Sequence, residues 1–241
     1  MSVLENPVMR SEGRDAGASF DQIILSRFAC RNFTDRPVSR RMVEDILDVA
    51  RFAPSGANIQ PWQVHVVAGA QKERISNALV KAHHEARDQH VAEYTYYPAE
   101  LPEPCLSRRG QFGHLYYSSL GIARSDAEAR ANQTAKNYTF FGAPVGLIVT
   151  IDRRLAVGNW LDLGMFIQTV LLAARARGLD SCPQETFAKY HLLLREMLPI
   201  PAEQMVVCGV SIGWARDEAR QSPRLMPRAD VADFASFTGF D

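Results

Sequence analysis

The stretch PSGANIQPWQVHVV, residues 54–67, joins a helix-like run to a strand-like run. The helical pattern stops at Pro54. The β-rich segment QVHVVAG (63–69) opens after the rigid pair Pro61-Trp62 and closes at Gly69. Between the two lie Ser55, Gly56, Asn58 and Gln60, more polar and permissive positions than a plain connection needs. Ser55 and Asn58 carry donors and acceptors, and Gly56 lets another group approach the backbone. Asn and Gln amides can hydrogen-bond both edges of a flat heterocycle. Taken alone, the segment also reads as a capped turn that starts a strand.

Upstream, residues 1–18 are polar and are expected to form a flexible arm. SFDQIILSRF then starts like a helix, with Ser19 as N-cap and Gln22 completing a capping box. A second helix is expected from Ser39, with Met42, Ile46, Val49 or Ala50, and Ala53 on one face. Downstream, KERISNALVKAHHEARDQH reads as a polar helix that includes His83, His84 and His90. Residues 91–118 change character: YTYYPAELPEPC holds three tyrosines and three prolines, so a loop or lid is expected. SDAEARANQTAKNYTFF is helical again. APVGLIVTI (143–151) and QMVVCGVSIGW (204–214) lack polar alternation and are expected to be strands buried on both faces. WLDLGMFIQTVLLAARARG (160–178) is apolar nearly all round, as a fully buried helix is, and Gly178 is its natural stop. Strands separated by long helical stretches give a mixed α and β class. A single domain over 19–241 is expected, with a lid or insertion near 91–137.

A chain of 241 residues can build a core without staples. Lys plus Arg equals Asp plus Glu at 27 each, so charge offers no case for nucleic acid or a membrane surface. Cys30, Cys105, Cys182 and Cys208 are scattered, with no C-x-x-C pair, against a disulfide framework or a zinc site. The N-terminal segment lacks the apolar core of a signal peptide, and no run approaches the ~18 apolar residues of a membrane span. A cytoplasmic location is expected. G-x-G-x-x-G, the P-loop pattern and G-x-S-x-G are all missing, and HHEARDQH fails H-E-x-x-H at Asp88. Any chemistry is then borrowed from a cofactor.

Four places carry candidate groups. Arg27 and Arg31 in SRFACRNF sit four apart, and one helical turn would put both guanidinium groups on one side, suited to a phosphate. The second place is the opening stretch, with Pro54, Ser55, Gly56 and Asn58. In GLDSCPQETF (178–187), Pro183 fixes the chain and leaves the N–H groups of Gln184 and Glu185 to point at a ligand. Arg224 in SPRLMPR is a further anion partner. Each has a plain structural alternative: a solvated pair, a turn, a loop, a charged tail.

The order of these pieces, with VVCGVSIG between the last two, resembles the FMN-dependent nitroreductase family over about residues 19–228. FFGAPVGLIVTID, WLDLGMFIQTVLLAARARGL and CPQETFAKYH are most similar to its nitrobenzoate-reductase branch. The resemblance implies an α+β fold with a central, mostly antiparallel sheet flanked by helices, an intertwined homodimer, and two FMN sites at the interface. It implies ping-pong reduction of nitroaromatic compounds with NADH or NADPH as electron donor. By the same resemblance, Arg27 and Arg31 hold the phosphate and the pyrimidine edge, and Arg224 joins them on the phosphate. Pro54, Ser55, Gly56 and Asn58 reach FMN from the other subunit. Pro183, Gln184 and Glu185 face the flavin ring. No catalytic acid or base and no metal ligand is implied. Ala29 and Thr186 depart from the family's usual serine and glycine, and Thr186 is expected to narrow the pocket. Quinones, enones or halogenated phenols remain alternative acceptors, flavin fragmentation an alternative reaction, and non-enzymatic flavin binding an alternative role. Arg108, Arg109, Arg124, Arg130 and Lys136, with Phe112, Tyr116 and Tyr117, point to a flat aromatic acid as the acceptor.

Overall fold

A computed structural model describes residues 15–219 and 226–240 of the chain. Among these, four strands form one antiparallel sheet: β1 (Trp62–Ala68), β2 (Val145–Asp152), β3 (Asp180–Gln184) and β4 (Gln204–Gly213), in the order β1-β2-β4-β3. The central strands β2 and β4 are buried almost throughout. The cause is a helical layer on each face. Val145, Leu147, Val149 and Ile151 pack with α2 (Arg40–Ala50) and α6 (Val157–Ala176). Ile148 and Val206 face the other way, with α3 (Gly69–Ala86) and α7 (His191–Met197). Alternate residues point to opposite faces, so two covered faces need an unbroken apolar run.

The expected start of α2 near Ser39 holds, and the structure adds a cap there: the Ser39 hydroxyl accepts from the Met42 N–H at 3.2 Å. Its buried face is Val43, Ile46 and Ala50, with Met42 half-buried and Val49 exposed. The first helix, α1 (Asp15–Ser26), begins four residues before the expected Ser19 cap. α3 is less polar than it reads. It buries Ile75, Leu79 and His83, and His83 Nδ1 lies 3.3 Å from the Tyr190 hydroxyl, so His83 is a core residue rather than part of a solvated face.

Two expectations change. β3 reads as a loop because Asp, Ser, Cys, Pro and Gln have low strand preference; pairing with β4 imposes the strand. α6 is not fully buried. Phe166, Val170, Leu171 and Ala174 face the sheet, while Val157 and Leu161 are 82% and 72% exposed in the single chain. Length and composition alone would also let α6 pass for a membrane span, as they do for many core helices, and its sheet-facing side is that of a core helix. The Pro/Tyr-rich stretch leads into a helix, α4 (Cys105–Ser119), which has no buried residue. It is followed by α5 (Ala127–Ala135), capped by Asp126.

Candidate functional site

The segment after α1 runs extended beside β3. Ala29 bridges Ser181 in parallel, and the Cys30 N–H donates to the Ser181 carbonyl at 3.0 Å. Arg27 and Arg31 therefore share a side for a reason other than a helical turn. The helix has ended at Ser26, and in an extended segment an even spacing keeps side chains on one face. Phe28 and Cys30 take the opposite face and are buried. Both arginine charges act on the Cys182 thiol, which burial nevertheless pushes up to about 11.

Burial, and then the charge of Arg228, hold the Arg27 guanidinium below its usual value. Arg27 thus feels the charge of a second arginine, and among the described residues no carboxylate pairs with either. Like charges brought together without a counter-ion suit an anion. Arg228 is the residue the sequence reading passed over; it is the second arginine of SPRLMPR, four residues after Arg224. Arg224 lies outside the described residues.

The turn after β3 is firmly seated. Pro183 is exposed, whereas Gln184 is buried. The Gln184 side chain faces inward: Nε2 donates to the Asn137 carbonyl at 2.7 Å, and Oε1 accepts from the Ser211 hydroxyl. Its backbone ends β3, paired with Gly209 of β4. Burial raises the Glu185 carboxyl, with Lys189 opposing. The Thr186 hydroxyl lies 2.6 Å from that of Tyr138, a fully buried residue, so this side chain bonds into the core.

The opening stretch is strained. Ala57, Asn58 and Gln60 have φ of 47°, 59° and 51°, the left-handed region that costs residues with a Cβ. The loop is held by the Gln60 N–H on Ser55 Oγ at 3.0 Å and the Gly56 N–H on Asp162 Oδ1 at 3.2 Å. Asn159 Nδ2 donates to the other oxygen of Asp162 at 3.2 Å. Trp62 stacks on Phe166 with ring centres 4.7 Å apart. A lone, buried Asp in an apolar helix was the available signal for Asp162. Pro54, Gly56 and Asn58 nonetheless stay exposed in the single chain, and Ser55 half-buried.

The two groups of candidates lie at opposite edges of the sheet. Residues 54–60 lead into β1, and residues 27–31 border β3, with β2 and β4 between. Three strand spacings are about 14 Å. Among the described residues no hydrogen bond joins residues 54–60 to residues 27–31 or 183–185.

α4 stands beside Arg31. The Arg31 guanidinium lies 4.9 Å from the Tyr116 ring centre and 5.7 Å from that of Phe112, and Gln133 Nε2 donates to the Tyr116 hydroxyl at 2.8 Å. Arg109 stacks on Tyr97 at 4.6 Å and Arg130 on Tyr117 at 3.8 Å. Arg108 instead lines a cleft of about 460 Å³ with Phe112, Met226 and Arg228.

The sequence profile of the nitroreductase family matches residues 24–214. The chain belongs to this family. It is 40% identical over 222 residues to the 4-nitrobenzoate reductase of Pseudomonas putida, covering 92% of this chain and 96% of the relative. It is 41% identical over 217 residues to the nitrobenzene nitroreductase of Ectopseudomonas oleovorans, covering 90% and 96%. Its fold is similar to that of the FMN and NADPH-dependent nitroreductase NfnB from Sphigopyxis sp. strain HMH, with a TM-score of 0.88, 38% identity, and coverage of 92% and 99%. The expected α+β nitroreductase fold is the one observed.

Proposed function

We propose that the chain is an FMN-dependent NAD(P)H oxidoreductase that reduces nitroaromatic compounds by a ping-pong mechanism, as a homodimer in the cytoplasm. The observation that carries this is the extended segment that sets Arg27 and Arg31 on one side, with no carboxylate partner among the described residues, along the β3 strand that leads through Pro183 and Gln184 to Glu185. The printed activities of the relatives support the same reading. Bound FMN would supply two-electron chemistry between a nicotinamide donor and the nitro group.

The residues present fit that group. Arg27 and Arg228 would hold the phosphate, Arg228 filling the role expected of Arg224. Arg31 would hold the pyrimidine edge, and the backbone of Pro183, Gln184 and Glu185 would face the ring. The strained, exposed loop with Pro54, Ser55, Gly56 and Asn58 would serve the flavin of a second copy, because its own chain carries the arginines at the far edge of the sheet. The exposed Phe52, Val157 and Leu161 supply apolar surface for that pairing, and obligate interfaces typically bury more than about 2,000 Å². Four scattered cysteines with no C-x-x-C pair suit a reducing compartment. The protein's part in the reaction is alignment and the supply of N–H donors and positive charge near the ring. No side chain is assigned as acid or base.

For the acceptor, Arg108 beside Phe112 favours a nitroaromatic acid: the ring stacks, and the guanidinium takes the carboxylate. The purified protein should be yellow, release FMN on denaturation and oxidise NAD(P)H only when a nitroarene is added. Colourless protein, or flavoprotein inert to nitroarenes, would overturn the reading.

A further inference from the structure

Among the described residues, five non-glycine residues have positive φ, and they fall in two places. Ala57, Asn58 and Gln60 belong to the loop already described. Phe140 and Phe141, at φ 54° and 53°, form the corner before β2. Such conformations persist only where the surroundings hold them, and they gather at functional sites.

The corner is held hard. The Phe141 N–H donates to the Lys136 carbonyl at 2.9 Å, and the Phe33 N–H donates to the Phe141 carbonyl at 3.2 Å. The Phe140 ring lies over Gly146, where a Cβ would come within 2.3 Å of it. Phe140 packs on Phe187 at 4.7 Å, and Phe187 in turn occupies the space over Gly209, where a Cβ would come within 2.5 Å.

This corner presents two neighbours, Asn137 and Tyr138, to the turn after β3. The Asn137 carbonyl takes the Gln184 amide, and the Tyr138 hydroxyl meets that of Thr186. The residues on both sides of Glu185 are thereby tied to one rigid corner, and Phe187 anchors the next position.

We infer that Asn137 and Tyr138 are positioning residues that fix the backbone from Gln184 to Thr186, so that the Glu185 amide is presented to the flavin ring in one orientation. The inference rests on the proposed flavin reading of residues 183–185. Tyr138 is 1% exposed, so it acts through Thr186 rather than by touching a ligand. A tyrosine that merely fills the core would need its ring and not this bond, and the two roles separate by experiment.

The variants are Tyr138→Phe, Thr186→Val, Thr186→Ser and the Tyr138→Phe/Thr186→Val double. In FMN-free protein, amide exchange at residues 184–187 should rise about tenfold in Tyr138→Phe and in Thr186→Val, the loss of one hydrogen bond. The double variant should add nothing further, because both changes remove the same bond. Thr186→Ser should behave as the wild type. In FMN-loaded protein, Tyr138→Phe should shift the flavin midpoint potential and slow flavin reduction, with KM for NADPH unchanged. Wild-type exchange and potential in Tyr138→Phe, or additive effects in the double variant, would overturn the inference. FMN-dependent protection of residues 183–187 in the wild type tests the underlying reading separately. Its absence would remove the flavin from this turn, and the positioning role with it, even if the variants loosen the turn.

Discussion

β2 and the loop of residues 54–60 are both short and both decisive, yet they are built in opposite ways. β2 buries all but its last residue, carries no charge before Asp152, and is paired on both sides. The loop is largely exposed, holds three left-handed residues, and is tied down by a handful of bonds to Ser55 and Asp162. Burial near 25 cal/mol per Å² makes the strand a source of stability. Left-handed backbone at about 1–2 kcal/mol per residue makes the loop a consumer of it. A fold that keeps such a loop keeps it for what the loop touches.

The largest effect expected on this contrast is in the strand. Leu147→Ala should cost about 2–5 kcal/mol in denaturant unfolding, while Ile59→Ala in the exposed loop should stay within about 0.5 kcal/mol. Similar losses at both would erase the distinction between strand and loop. Next is acceptor choice at the equally exposed α4. Arg108→Ala should cut kcat/KM for 4-nitrobenzoate about tenfold and leave nitrobenzene unchanged, and added salt should shrink the wild-type preference. An equal fall for both substrates would assign Arg108 to structure. Smaller again is Ala57→Gly. Relief of the left-handed strain, partly offset by the greater freedom of glycine when unfolded, should stabilise the isolated protein by at most about 1 kcal/mol. A clear destabilisation would mean the loop is not strained.

The smallest effect is at the solvent end of β2. Hydrogen bonds from Arg154, side chain first and then backbone, hold the Asp152 carboxyl at about 2, below its ordinary 3.8. A lowered folded value means the contribution is complete above the unfolded value and is lost as pH falls from about 4 towards 2. Melting temperature against pH should show this decline in the wild type and a shallower one in Arg154→Ala. The pair lies at the surface with Arg154 largely exposed, so the difference should be slight.

The contrast also governs what the sequence disclosed. β2, β4 and the buried face of α2 at Ile46 and Ala50 were legible, because unbroken apolar runs and helical spacing leave few alternatives. β3 was not, because its residues accept a strand only when β4 supplies the partners. Arg27 and Arg31 were legible as a pair, but for the wrong local geometry; an even spacing serves an extended segment as well as a helical turn. Arg228 and Asp162 were hidden because their importance lies in a neighbour distant in the chain. The partner of Thr186 was hidden as well, since nothing local reveals that its hydroxyl turns to Tyr138. The exposed side of α6 was hidden too, because an apolar helix reads the same whether its own chain or a second copy covers it.

The phosphate assignment ties the loop, the arginines and the second copy to one ligand, and titration of flavin-free protein with FMN and with riboflavin tests it most directly. The wild type should bind FMN far more tightly than riboflavin. Arg27→Ala and Arg228→Ala should each weaken FMN about ten- to a hundredfold, the cost of a charge-assisted contact of about 1.5–3 kcal/mol, and leave riboflavin unchanged. Undiminished FMN affinity in both variants would contradict the assignment.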